Sequence, residues 1–92
     1  MRISFEAEAN DDLDHIFAWI AKDNVVAAYE TMSHIEVLIG QLRMEGFEEM
    51  GRPGLVKGTC ELIDDPYIVV YRVAKKRDEI IIVSVLHSAQ DR

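Results

Sequence analysis

His87 closes an apolar run, Ile80 to Leu86, and stands just ahead of a polar tail, so its imidazole is presented at the end of a predicted strand. A ring that titrates near neutrality in such a place can serve as an acid or base, or donate a hydrogen bond to a partner. Arg72 follows Tyr71 among β-branched residues. A guanidinium there either snorkels out of the sheet or meets a carboxylate, and Glu61 is the carboxylate to which a salt bridge is expected. Tyr67 and Tyr71 are spaced to share one strand face, where packing at the core edge is favoured over a stacking platform.

The other reactive side chains offer less. His15 and His34 lie beside the apolar stripes of two different helices, no histidine has an i,i+4 partner, and the single cysteine cannot supply a thiolate cluster, so no metal is expected. Cys60 likewise has no partner for an internal disulfide, and mid-strand it reads as inert packing. Gly51-Arg52-Pro53-Gly54 lacks the following Lys-Ser/Thr and helix start of a phosphate-binding loop, and Lys75-Lys76-Arg77 reads as a solvated turn. No serine, cysteine or carboxylate pair has a catalytic spacing, and no cofactor is implied.

These residues must be held by elements that the hydropathy pattern outlines. Met1 to Phe5 alternates as a short strand. From Ala7 to Lys22, Leu13, Ile16, Phe17 and Ile20 recur at helical spacing, with Asp11, Asp12 and Asp14 near the positive end of the helix dipole. Asp23-Asn24 supplies N-cap residues for a second helix, whose stripe of Ala28, Met32, Ile35, Ile39 and Leu42 runs to about Met44. The short link forces an antiparallel hairpin. Gly46 and the Gly51–Gly54 segment punctuate a loop, after which Leu55 to Ile63, Tyr67 to Val73 and Ile80 to Leu86 read as a three-stranded meander. The expected fold is α+β in the order β-α-α-β-β-β, with the helical hairpin on one face of a small, mainly antiparallel sheet.

Length and charge narrow the function classes. Ninety-two residues fit one domain, residues 1–92, and exclude a two-lobed enzyme. A net charge of −7 argues against a surface made to track phosphate backbones, so no direct sequence-specific nucleic-acid binding is expected. Eleven acids and three bases fall in residues 1–50, against six acids and seven bases in residues 51–92, which makes one face of the fold far less acidic than the other. No apolar run approaches the length that spans a bilayer, and the lone cysteine with no signal peptide fits a reducing cytosol.

The series Gly51-Arg52-Pro53-Gly54, Gly58-Thr59-Cys60-Glu61-Leu62, Tyr67-Ile68-Val69-Val70-Tyr71-Arg72-Val73 and Val85-Leu86-His87 closely resembles the ParE branch of the ParE/RelE toxin superfamily. In the helical half, Ala9-Asn10-Asp11-Asp12-Leu13-Asp14-His15-Ile16 and Asp23-Asn24-Val25-Val26-Ala27-Ala28 are similar to the same family, so the likeness spans essentially the whole chain. The resemblance implies the toxin of a bacterial type II toxin–antitoxin module, cytoplasmic, held in a hetero-oligomer by a ParD-like antitoxin and directed at DNA gyrase. RelE-type relatives instead cleave mRNA on the ribosome. On that alternative His87 would be a general base beside Arg72 and Glu61, yet apolar sheet positions such as Ile68 and the acidic balance leave few cations to stabilise a phosphorane-like charge. Binding rather than catalysis is therefore expected, through a sheet face bearing Arg52, Glu61, Arg72 and His87 with Tyr71. Cys60 and Gln90 stand where the family pattern commonly has arginine, so the resemblance also leaves open an attenuated toxin that only binds its antitoxin.

Overall fold

In the computed structural model, which describes residues 1–88, the elements follow in the order β1 (Arg2–Phe5), α1 (Ala7–Ala21), α2 (Val25–Gly40), β2 (Arg52–Pro53), β3 (Cys60–Asp64), β4 (Tyr67–Ala74) and β5 (Glu79–His87). The sheet order is β1-β5-β4-β3-β2, with β1 parallel to β5 and all other pairs antiparallel. This is the expected α+β fold with an added edge strand. Arg52 and Pro53, read as loop, pair with Glu61 and Cys60; two residues are too few for an alternating pattern to announce a strand.

A second departure lies just beyond. The strand expected from Leu55 begins only at Cys60, because residues 54–59 close a loop in which the Gly54 amide donates to the Thr59 carbonyl and the Thr59 hydroxyl and amide both donate to the Val56 carbonyl. Gly58 adopts a φ of 88°, open to glycine at no steric cost. Leu55 and Val56 thus have strand-like composition but stand exposed at the loop's tip. Likewise α2 stops at Gly40, and a single 3-10 turn, Gln41–Arg43, carries Leu42 into the core.

The hairpin is well specified locally. The Asn24 side chain accepts from the Ala27 amide at 3.0 Å, capping α2, and Phe17 meets Tyr29 edge-on at 4.9 Å across the two helices. Ala9, Ile35, Ile39 and Leu42 pack onto Leu62, Val69, Tyr71, Ile80, Ile82 and Val85. Burial of each such aliphatic side chain contributes about 1.5–3 kcal/mol. Along β5 the register shifts: Val70 opposes Ser84 but Tyr71 opposes Ile82, so Val83 is an extra residue and Val85 returns to the helix side.

Beyond Ile82, β1 no longer covers the outer edge of β5. There the Val85 amide donates to the Asp12 carboxylate of α1 at 2.9 Å. Asp12→Ala is expected to leave that amide unpaired and cost about 1–3 kcal/mol, with Asp12→Asn recovering most of it. Equilibrium urea unfolding of the three proteins checks this.

Candidate partner-binding site

Residues directly opposite one another across a sheet share a face. Arg52, Glu61, Val70 and Ser84 form one such row across β2, β3, β4 and β5, on the side away from the helices. Glu61 is 3% exposed, and both Nε and Nη2 of Arg52 donate to its Oε1, at 3.2 and 3.1 Å. A carboxylate removed from water costs several kcal/mol unless a cation neutralises it, and Arg52 supplies a cation here. The Arg52 side chain nonetheless remains 56% exposed and carries donors that Glu61 does not use.

Arg72 shares this face but not this carboxylate. The salt bridge expected with Glu61 goes instead to Glu6, whose Oε1 lies 2.8 Å from Nη2. Two placements explain the correction: Glu61 is already met by its cross-strand neighbour Arg52, and Arg72 opposes Ile81, itself paired with Ser4 close to Glu6. Glu61, Val70, Arg72, Ser84 and Leu86 line a cleft of about 370 Å³, overhung by Leu55, Val56 and Lys57.

Tyr71 and His87 occupy the opposite face. Tyr71 is fully buried among core residues, and its hydroxyl accepts a hydrogen bond from the Gly51 amide at 3.0 Å. Burial pushes its pKa above the ordinary 10.0, with the Gly51 hydrogen bond acting in the other sense. His87 opposes Tyr67, and the rings meet edge-on at 5.5 Å in a recess shared with His15, Ile16 and Trp19. The structure therefore gathers Arg52, Glu61 and Arg72 and sets Tyr71 and His87 behind the sheet. The grouping of His87 with Arg72 and Glu61, expected from sequence, is not formed.

The flanking glycines explain the Gly-Arg-x-Gly motif. A Cβ on Gly51 would lie 2.6 Å from the Glu61 carbonyl oxygen and 2.8 Å from the Tyr71 hydroxyl, and one on Gly54 would fall on the Thr59 hydroxyl. His15 and His34 are surface residues as expected, His34 lying 3.0 Å from Asp64, while Lys75 and Arg77 pair with Glu49 and Glu79. Cys60 opens β3 rather than sitting mid-strand, and opposes Tyr71 on the helix side. No cluster of three or more metal-binding side chains occurs among the described residues. Gln90 lies outside them. The roles of Glu6 and Asp12 were missed. Asp12 could have been suspected, since Ala9, Asp12, Leu13 and Ile16 fall on one helical stripe.

A profile described as the ParE toxin of the type II toxin–antitoxin system parDE matches residues 3–92. The chain belongs to the ParE toxin family. No curated protein sequence matches it. The fold is similar to a chain of the chromosomal ParDE toxin–antitoxin system from P. aeruginosa, at TM-score 0.81 and 23% identity, covering 95% of each chain. It is also similar to a chain of the RelBE2 toxin–antitoxin complex from Mycobacterium tuberculosis, at TM-score 0.63 and 22% identity, covering 97% of this chain and 92% of that one. No helix among the described residues of this ParE-family chain is long and apolar enough to cross a membrane.

Two outcomes follow from this geometry. Gly51→Ala is expected to cost about 1–3 kcal/mol through forced displacement of Tyr71 and β3, read as a lower urea midpoint. The raised pKa of Tyr71 means that the folded state favours the neutral phenol, so its contribution is complete below pH 10.0 and is lost as pH rises above that value. Stability measured from pH 8 to 12 should fall less steeply in Tyr71→Phe, the remaining slope coming from Tyr67, which burial also raises.

Proposed function

We propose that this chain is a toxin that inhibits DNA gyrase by binding it, and that a ParD-like antitoxin neutralises it in a hetero-oligomeric complex. The observation that carries the reading is the division of the candidate residues between two faces. A ribonuclease of the RelE type would need His87 within proton-transfer reach of a phosphate held by Arg72. Here the sheet separates them, whereas Arg72 lines, with Glu61, a cleft on the face that also bears Arg52, an arrangement that suits contact with a protein surface. The absence of arginine at position 60 supports retained activity, since residue 60 faces the helices and its replacement by cysteine takes no cation from the Arg52 face.

The helical hairpin suits the antitoxin. Val26, Tyr29 and Val37 are 65%, 63% and 67% exposed along one side of α2 and border a shared recess with Ser33 and Leu38. An amphipathic segment laid there would bury several hundred Å² per partner, a typical extent for such recognition.

The deciding experiment uses purified gyrase and plasmid DNA, with the chain alone and with antitoxin added. Loss of supercoiling and accumulation of cleaved DNA, both reversed by antitoxin, are expected. Arg52→Lys, which keeps a cation beside the buried Glu61 but loses the guanidinium's further donors, should weaken inhibition on the order of tenfold, as loss of a directed arginine contact at an interface does. A folded, antitoxin-binding sample that leaves gyrase untouched would overturn the gyrase reading and direct attention to a chain that only binds its antitoxin.

A further inference from the structure

We infer that Tyr71 is a positioning residue that aims Arg52 at its partner from the far side of the sheet, acting through the backbone of Gly51. The inference rests on the proposed role of Arg52 in partner contact. Its premise is the weakness of β2. That strand is two residues long and lies at the sheet edge, and one of the two, Pro53, has no amide to donate. Its backbone is secured by the residues on either side: the Gly51 amide donates to the Tyr71 hydroxyl at 3.0 Å, and the Gly54 amide donates to the Thr59 carbonyl at 2.8 Å.

These two ties bracket Arg52. Tyr71 comes from β4, whose neighbours β3 and β5 flank it in the sheet, and the tyrosine is fully buried, so its hydroxyl is a fixed point. Glu61 fixes one side of the guanidinium through Oε1, and Tyr71 fixes the main chain from which the side chain springs. With both in place the remaining donors point in a set direction, and little freedom is lost when they meet an acceptor. Without the hydroxyl, the Gly51 end of β2 is released, and the Nε and Nη2 bonds to Glu61 open more often although the charge stays beside it. The Arg52 cation then stays on its face but its direction spreads.

The test compares the wild-type chain, Tyr71→Phe, Arg52→Lys, which keeps the cation beside Glu61, and the double variant, with Ile39→Val as a core change of comparable stability cost. In Tyr71→Phe, hydrogen exchange at the Gly51 amide and the Arg52 Nε–H, followed by NMR, should accelerate on the order of tenfold, while Ile39→Val leaves both rates close to wild type. Gyrase inhibition by Tyr71→Phe should weaken on the order of fivefold, and the double variant should be no weaker than Arg52→Lys alone. Unchanged exchange at Arg52 Nε–H in a folded Tyr71→Phe protein overturns the inference, as does an equal loss of potency in Ile39→Val or an additive loss in the double variant. Should the wild-type chain leave gyrase unaffected, the function proposed above fails, and the exchange rates still decide whether Tyr71 positions Arg52.

Discussion

A carboxylate buried in a sheet must find a cation, and much of the β2–β3 region can be traced to how Glu61 meets that demand. Its cross-strand position is filled by Arg52, which requires a strand where the chain would otherwise run as loop. That strand requires glycine before and after it, because the Glu61 carbonyl and the Thr59 hydroxyl crowd the flanking α-carbons. It also requires the Tyr71 hydroxyl as acceptor for the Gly51 amide. A single desolvated charge thus accounts for the Gly-Arg-x-Gly segment, for the Glu that follows it in β3 and for a tyrosine in β4. An ion pair of this kind adds little net stability over an apolar pair, yet it leaves an arginine ordered and half in solvent, which suits recognition.

The elements legible in the sequence were those with repeated spacing. Both helices and the long strands β4 and β5 announce themselves through apolar periodicity, and Asn24 marks the α2 start by its side chain. What escaped was short or depended on partners distant in sequence. β2 offers no period, Leu55 and Val56 have the composition of a strand without its pairing, and Glu6 reaches Arg72 from 66 residues away. The facing of His87 is the most instructive failure. Strict alternation along β5 from Ile80 and Ile82 would put His87 on the side of Arg72. The extra residue Val83 reverses that parity and delivers His87 to Tyr67 instead. Nothing in the run of apolar residues signals such a bulge, because Ile81, Ile82 and Val83 are interchangeable in type.

Charge is distributed to match. The acidic half of the chain forms β1 and the helical hairpin, and the sheet half carries arginines and lysines close to balance with its acids. Among the described residues, two of these cations are paired with acids from the first half, Arg72 with Glu6 and Lys75 with Glu49. Such exposed pairs contribute little to stability individually. Their effect is to set an acid of the first half beside a cation of the second.

The contact between Asp12 and Val85 has a bearing on behaviour at high concentration. A parallel strand that ends early leaves its neighbour with a bare margin, and bare margins invite pairing with strands of other molecules. Here a helical side chain takes an amide beyond the end of β1, that of Val85, standing in for the missing strand with a negative charge in place of a backbone carbonyl. The helix therefore does more than cover the sheet: it takes up a backbone donor on the sheet's open side that another chain could otherwise pair with.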